Sequence, residues 1–367
     1  MKIFKVALVN LGLVVFLLVT VEIILSVAFY IRDSTRDLMP MFKQPAFSGH
    51  AWVVDIMEDE SRLNYDAYGY FVPAEIESPT INVKGEERFS TPATLIPGKA
   101  SKLVYCFGGS AMWGYKVADA FTIPSFLNSS ELNNEFEFYN FGVQGATIDE
   151  QFKHFIGLLP DRPLPQVVIF YLGANEFSPL WDDRGASGVG ADFNLMRRRT
   201  KDLSLAFIDK SSTFRLMKYL SRLLPQKKSF EFTGHVDQSV SPSEVAHKVL
   251  SRIKFIERLL INIGVTPIFI FQPFLLTGEE EKSRPLFPEE EVFLDMFDAK
   301  QKRAVRSAYQ EVQMHESDYV YDLGDIFAAP LKSQVYIDVV HLGPEGNKAI
   351  ATAILTILNE RFNARNR

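Results

Sequence analysis

The sequence contains a single cysteine, Cys106, among its 367 residues. An intrachain disulfide and a thiolate cage for a metal ion are therefore both excluded. Basic residues are not in excess, since 39 Lys and Arg stand against 45 Asp and Glu and the net charge is -6. Nucleic-acid-binding proteins usually carry a strongly basic face, so we expect no nucleic-acid partner. The glycine patterns of dinucleotide-binding and P-loop proteins, GxGxxG and GxxxxGK[ST], are also missing.

What the sequence has is apolar content: 47% of its residues are hydrophobic and 23% are charged. That proportion excludes a disordered or low-complexity chain, because such chains cannot bury a core. The longest apolar run, residues 6–30, lies near the N-terminus. As a helix it would extend about 37 Å, which exceeds the roughly 30 Å hydrocarbon core of a bilayer.

This run predicts an uncleaved membrane anchor. A signal peptide is the alternative, but its apolar region is usually only about 7–15 residues long. Lys2 and Lys5 precede the run without an acidic residue between them. By the positive-inside rule the N-terminus is cytoplasmic. We therefore expect a single-pass membrane protein whose remaining residues lie outside the cytoplasm, in the periplasm or at the cell surface.

The remaining chain changes character at about residue 101. Residues 31–100 are rich in turn-forming residues and are expected to form a stalk and an N-terminal arm. In residues 101–365 apolar, β-prone segments alternate with segments of helical spacing, which predicts a parallel sheet covered on both faces. The less periodic segment 178–242 is expected to be an insertion over one end of the sheet. The expected strands are 103–107, 136–141, 166–172, 266–271 and 319–321, and the clearest expected helices are 243–263, 289–313 and 343–362.

Four loops carry unusual residues. The first three follow predicted strands, and the fourth precedes the last predicted helix. Because ligands bind beyond the carboxyl ends of the strands in an open α/β sheet, we expect these loops to meet at one edge. They are FGGSAMWG at 107–114, NFGVQGAT at 140–147, YLGANE at 171–176 and DVVHL at 338–342.

Together these loops contain the groups that acyl transfer requires. Ser110 follows two glycines in a tight turn and can act as a nucleophile if His341 accepts its proton. Asp338, three residues before His341, can hold the imidazole in the required tautomer. A tetrahedral oxyanion needs preorganised donors. The backbone N–H groups of Ser110 and Gly145 and the side-chain amide of Asn175 can provide them.

In this order the four loops resemble the four sequence blocks of the SGNH/GDSL hydrolase family. The resemblance implies a flavodoxin-like three-layer α/β/α sandwich over roughly residues 100–362. It implies that Ser110, Gly145, Asn175 and His341 are the four residues of the family name, with Asp338 as the triad acid. The stretch INVKGEERF…KLVYCFGGS is similar to membrane-anchored bacterial members. Two positions depart from the family pattern: Gly109 replaces Asp, and Glu176 stands where Asp often follows the asparagine.

We therefore expect a membrane-anchored serine esterase that hydrolyses short O-acyl esters, with a cell-envelope saccharide as the best candidate substrate. An O-acyltransferase using the same triad, cleavage of acyl-lipids or thioesters, and a non-catalytic envelope scaffold are the alternatives. No cofactor or metal is expected, because the other five histidines show no ligand-type spacing. The acidic run Glu289–Glu291 opens a predicted helix and is expected to face solvent.

Overall fold

A computed structural model describes most of the chain. It leaves out residues 1–9, 11, 14–15, 29–39, 58–62, 66–68, 94–100, 132, 134, 182–239, 278–283, 316 and 365–367. Two compact units are distinguished, one of Met39–Ala191 with His235–Arg367 and one of Met1–Leu38 with Asp192–Gly234. In the second unit the described residues 10, 12–13 and 16–28 are helical.

The predicted membrane anchor, residues 6–30, lies partly outside the described residues. Among the residues that are described, no helix combines the length and the apolar character needed to cross a membrane. The anchor therefore stays a prediction. The predicted insertion lies mostly outside the description as well, since only its two ends, 178–181 and 240–242, are described.

A seven-stranded sheet forms the centre of the larger unit, and a two-stranded sheet accompanies it. The strands are β1 (Leu63–Tyr65), β2 (Phe71–Pro73), β3 (Val83–Lys84), β4 (Glu87–Arg88), β5 (Lys102–Gly108), β6 (Phe136–Asn140), β7 (Val167–Leu172), β8 (Thr266–Phe271) and β9 (Val320–Asp322). The small sheet pairs β1 with β2, and the order in the large sheet is β3-β4-β6-β5-β7-β8-β9. The last five strands in this order, β6-β5-β7-β8-β9, are parallel. Counted along the chain, these five have the order 2-1-3-4-5 of flavodoxin-like sheets.

The prediction of a parallel sheet is thus confirmed. The middle one of the five parallel strands, β7, has the sequence VVIFYL, and all six of its residues are buried. A continuous apolar run of this kind is expected only where helices cover both faces of a sheet. Each of the five expected strands agrees with an observed strand to within one residue at either end.

Five of the helices in this unit pack in two groups. The helices are α1 (Val53–Ile56), α2 (Ser110–Trp113), α3 (Ile123–Ser129), α4 (Ile148–Leu158), α5 (Pro242–Asn262), α6 (Pro288–Asp295), α7 (Ala299–Gln313) and α8 (Pro344–Ala364). Contacts join α4, α5 and α7 in one group and α3 and α8 in the other. Short 3-10 helices cover Pro40–Lys43, Pro45–Phe47, Asp119–Phe121 and Ser178–Leu180.

The single helix expected over 289–313 is wrong, because the structure divides it into α6 and α7. Asp298 causes the break by capping the second helix: its carboxylate accepts the N–H of Gln301 at 2.8 Å, and the Gln301 side chain accepts the N–H of Asp298 at 2.9 Å. This reciprocal arrangement starts a new helix. The prediction that all of Glu289–Glu291 faces solvent is also wrong, since Glu290 is fully buried and pairs with Arg284 at 2.7 Å.

Described residues that precede β5 pack on the domain that follows them. Arg88 in β4 pairs with Asn140 at the end of β6 in antiparallel register. Further upstream, the Gln44 side chain donates to the carbonyl oxygen of Ile337 at 3.2 Å and accepts from Gln334 at 2.9 Å. Residues 40–57 and 69–93, called the arm below, thus touch two of the four loops or their neighbours.

Candidate active site

Ser110 lies in a tight turn between strand β5 and the short helix α2. The strand ends at Gly108, the helix begins at Ser110, and Gly109 between them has an extended conformation. The carbonyl oxygen of Gly109 accepts the N–H of Trp113, and that of Ser110 accepts the N–H of Gly114, both at 3.0 Å. This turn places the Ser110 hydroxyl at the carboxyl edge of the sheet, half-buried.

Asp338 and His341 lie on a loop that folds back on itself just before α8. Tyr336 and Leu342 form an isolated antiparallel bridge across its base, and the Ile337 N–H donates to the His341 carbonyl oxygen at 2.9 Å. One carboxylate oxygen of Asp338 accepts the N–H groups of Val340 at 2.8 Å and His341 at 2.7 Å. These bonds fix the orientation of the carboxylate and leave its second oxygen facing the imidazole.

Ser110, His341 and Asp338 form a continuous hydrogen-bonded chain, although 231 positions separate the first two in sequence. The Ser110 Oγ lies 2.6 Å from His341 Nε2, and His341 Nδ1 lies 2.7 Å from Asp338 Oδ2. An ionised carboxylate can only accept, so Nδ1 carries the proton. The lone pair of Nε2 then accepts the hydrogen of the Ser110 hydroxyl, which is the arrangement a general base requires.

The electrostatics keep Asp338 ionised. Burial alone would raise the pKa of this carboxyl. His341 and the backbone N–H groups of His341 and Val340 outweigh burial and hold the pKa of Asp338 below its ordinary value. Asp338 is therefore available as an anion next to an imidazole that becomes positively charged when it accepts a proton.

Asn175, on the loop after β7, lies directly against the turn Gly108–Ser110, called the nucleophile turn below after the role predicted for Ser110. Its side-chain nitrogen donates to the carbonyl oxygen of Ala146 at 3.0 Å. A Cβ built on Gly109 would overlap the same nitrogen. Gly109, the first departure from the family pattern, thus provides the space that Asn175 occupies.

Gly145 belongs to the loop after β6, which is tied to the nucleophile turn through the Val143 N–H, a donor to the Gly108 carbonyl oxygen at 2.9 Å. With a φ of 79°, Gly145 has a left-handed conformation that other residues rarely adopt. The loops of Ser110, Gly145 and Asn175 therefore meet at one edge of the sheet, where the His341 loop also arrives.

In the sequence Glu176 is only a departure from the family pattern, yet its carboxylate connects the loop after β7 to the first residue of α4. One oxygen accepts the Ile148 N–H at 2.9 Å and the other accepts the Gly173 N–H at 2.7 Å. Burial raises the pKa of Glu176 to about 7, although those backbone N–H groups act in the opposite direction. The one sign in the sequence that could have identified Glu176 is its position directly after Asn175, at the end of a buried strand.

Tyr115 was also missed by sequence reasoning. Its ring centre lies 4.4 Å from that of His341, with the planes tilted by 36°. Burial and the nearby Asp338 raise the pKa of Tyr115, so its hydroxyl stays neutral. No sequence motif marks this residue, because the contact arises only where the nucleophile turn meets the DVVHL loop.

In the part of the chain that is described, no group of three or more His, Cys, Asp or Glu side chains is arranged to hold a metal ion. Cys106 is buried in β5, and burial raises the pKa of its thiol. His154 is buried and contacts Glu86 at 3.1 Å. None of these groups belongs to the four loops.

Comparison with protein families identifies a GDSL-like lipase/acylhydrolase domain over residues 104–354, a range that includes all five predicted site residues. The chain therefore belongs to the GDSL-like lipase/acylhydrolase family, whose members are hydrolases of acyl esters. A comparison with curated proteins gave no match.

Several solved structures are similar to this chain at low sequence identity. A lipolytic protein of the G-D-S-L family from Desulfitobacterium hafniense is 13% identical, covering 70% of this chain and 99% of that one, with a TM-score of 0.37. Another from Veillonella parvula is 12% identical, covering 69% and 96%, with a TM-score of 0.39. A catalytic mutant of an acetylxylan esterase from Geobacillus stearothermophilus is 12% identical, covering 71% and 96%, with a TM-score of 0.38.

Proposed function

We propose that this hydrolase is a serine esterase that cleaves acyl esters through a covalent acyl-enzyme, with Ser110, His341 and Asp338 as its triad. The observation that carries the proposal is the hydrogen-bonded chain from Ser110 Oγ to His341 Nε2, at 2.6 Å, and from His341 Nδ1 to Asp338 Oδ2, at 2.7 Å. A hydroxyl becomes a useful nucleophile only beside such a base.

In the first half-reaction His341 Nε2 takes the proton of Ser110 as its oxygen attacks the acyl carbon. The imidazolium that forms is stabilised by the Asp338 carboxylate and then protonates the departing alcohol oxygen. In the second half-reaction His341 removes a proton from water, the hydroxide oxygen attacks the acyl carbon, and Ser110 recovers its proton. The products are a carboxylic acid and an alcohol.

The negative oxygen of both tetrahedral intermediates needs donors that are already in place. In this proposal they are the N–H groups of Ser110 and Gly145 and the side-chain amide of Asn175. The bond from Asn175 to the Ala146 carbonyl oxygen and the contact of Asn175 with Gly109 support its part, because they hold the amide beside the nucleophile turn.

We propose further that the substrate is a short O-acyl ester on a cell-envelope saccharide and that residues 6–30 anchor the protein in a membrane. The apolar run and the preceding Lys2 and Lys5 support this location, which would place the esterase beside such saccharides. Fractionation of cells expressing the full chain tests the anchor: extraction from membranes by detergent and not by carbonate is expected.

The catalytic proposal is tested by labelling the full-length protein with a fluorophosphonate and mapping the modified peptide. Labelling at Ser110, and its loss in Ser110→Ala together with hydrolysis of a soluble acetyl ester, is expected. Labelling at another residue, or an unchanged rate in Ser110→Ala, would contradict the proposal. Repeating the assay with an added saccharide distinguishes the acyltransferase alternative, because an acylated sugar would then replace free acid as the product.

A further inference from the structure

The guanidinium of Arg88 is completely buried and donates to four groups of one short segment. Its Nη1 donates to the carbonyl oxygens of Trp113 at 2.7 Å and Gly114 at 2.8 Å, and its Nη2 donates to that of Val117 at 2.7 Å. Its Nε donates to the Asp119 carboxylate at 2.9 Å. The planar guanidinium therefore presents its N–H donors, a fork of fixed geometry, to acceptor groups that all belong to residues 113–119.

The segment that Arg88 holds is the continuation of the nucleophile turn. Trp113 is the last residue of α2, the helix that begins at Ser110, and Gly114 ends it. A one-turn helix has too few internal hydrogen bonds to be stable by itself. Its position relative to the sheet therefore depends on contacts such as those made by Arg88.

Arg88 itself is held by contacts outside the nucleophile turn. It lies in β4 of the arm and pairs with Asn140 at the end of β6. Asp119 is held from the same side, because one of its oxygens accepts the backbone N–H of Asn82 at 2.8 Å and the Asn82 side-chain amide at 3.0 Å. The arm thus supplies both the cation and the groups that orient its counterion.

From this geometry we infer that Arg88 is a positioning residue, through which the arm sets the place of the Ser110 nucleophile. The arm is then a working part of the catalytic site, although residue 88 lies outside the family domain at 104–354. The inference rests on the proposed function for its effect on catalysis. Its structural half, the fixing of the turn, is measurable without any activity.

Arg88→Lys keeps the charge and removes the planar fork. Misplacement of a reacting group by about 1 Å can cost 10²-fold in rate. We therefore expect kcat per titrated site to fall by about 10²-fold with KM unchanged. The rate constant for fluorophosphonate labelling of Ser110 should fall with it. Hydrogen exchange should become faster at the amides of residues 113–115, which bond to the carbonyl oxygens of Gly109 and Ser110.

Arg162→Lys is the matched control. Arg162 also binds the arm, donating to Glu87 at 2.7 Å and to the Gly85 carbonyl oxygen at 3.0 Å, but it bonds to no carbonyl of residues 113–119. If Arg88 only docks the arm, the two lysine variants will lose labelling rate and amide protection alike, and the inference fails. If Arg88 positions the turn, only Arg88→Lys will show the losses.

A second variant covers the case in which Arg88→Lys does not fold. Arg88→Met with Asp119→Leu replaces the buried pair by apolar side chains of similar size, an exchange that proteins often tolerate. It removes the fork without leaving a charge unpaired, and we expect the same loss of labelling and of amide protection. Retention of both at wild-type levels would overturn the inference. Should the wild type itself not label, the proposed function fails, and the exchange data alone decide whether Arg88 fixes the turn.

Discussion

Gly109 and Asn175 approach each other so closely that position 109 has no room for a side chain. A Cβ there would overlap the amide nitrogen of Asn175, which donates to the Ala146 carbonyl oxygen. The founding motif of the family has Asp at this position. In this chain Asn175 can therefore occupy its position only because residue 109 is a glycine.

Gly109→Ala should displace the Asn175 amide and lower kcat by about 10²–10³-fold, the usual cost of losing one oxyanion donor. Gly109→Asp, which would restore the family residue, is expected to lower activity at least as much. Acetyl ester hydrolysis per titrated site measures both. Because the effect should act through Asn175, Gly109→Ala is expected to cost much less in an Asn175→Ala background. Equal costs in the two backgrounds would refute this coupling.

Asp338→Asn should lower kcat by about 10⁴-fold, because an amide neither stabilises the imidazolium nor enforces the required tautomer of His341. Hydrolysis of an acetyl ester measures the effect, and circular dichroism verifies the fold. A loss of less than tenfold in a folded variant would mean that Asp338 is not the triad acid.

Asp338→Asn should also change how the unfolding free energy depends on pH. The pKa of Asp338 is lowered in the folded state, so its ionisation stabilises the fold above the ordinary carboxyl range and the benefit disappears as the pH falls through the lowered value. The unfolding free energy of the wild type should exceed that of Asp338→Asn near pH 7, and the gap should close in acid. Urea titrations of both proteins at several pH values measure it, and a gap that widens in acid would contradict the assignment.

The contribution of Glu176 to the unfolding free energy should depend on pH in the opposite direction. Its pKa in the folded state is about 7, above the ordinary 4.5, so the folded protein binds the extra proton and loses stability as the pH rises between these values. At 1.36 kcal/mol per pKa unit, the wild type should lose roughly 3 kcal/mol relative to Glu176→Gln over this range. Urea unfolding at three pH values provides the comparison, and parallel curves for the two proteins would disprove the raised pKa.

Glu290→Gln should destabilise the fold by about 3–5 kcal/mol, because it leaves the buried guanidinium of Arg284 without a counterion. The two side chains make two bonds of 2.7 Å and are almost completely buried. Asp149→Asn is the control: its partner Arg252 lies 2.9 Å away and both are exposed, so less than about 1 kcal/mol is expected. Chemical unfolding compares them, and similar losses would show that burial does not decide the outcome here.

The strands were predictable to within one residue because their signal is local. A run such as VVIFYL in β7 can be satisfied only where both faces are covered, so composition alone indicates a buried parallel strand. The break between α6 and α7 was missed for the converse reason. The helical spacing of apolar residues continues across Asp298, so the sequence pattern shows no break. The break comes from the cap that Asp298 forms with Gln301, which starts a new helix.

The burial and the partners of acidic side chains could not be predicted from the sequence. Glu289, Glu290 and Glu291 are alike in sequence, yet only Glu290 meets Arg284 and is buried. The sequence likewise does not distinguish Glu176 and Asp119 from other acidic residues. The environment of a charged side chain depends on partners that can lie anywhere along the chain.

By itself the sequence determined the alternation of strands and helices and the chemical groups available in four loops, because hydrophobic periodicity and residue type are properties of short segments. Only the tertiary structure decided that His341 reaches Ser110 across 231 positions, that Glu176 links its own loop to the start of α4, and that Arg88 of the arm donates to the carbonyl oxygens of Trp113 and Gly114. The physical reason is that hydrogen bonds and buried charges act over about 3 Å in space, and folding, not order along the chain, brings their partners to that distance.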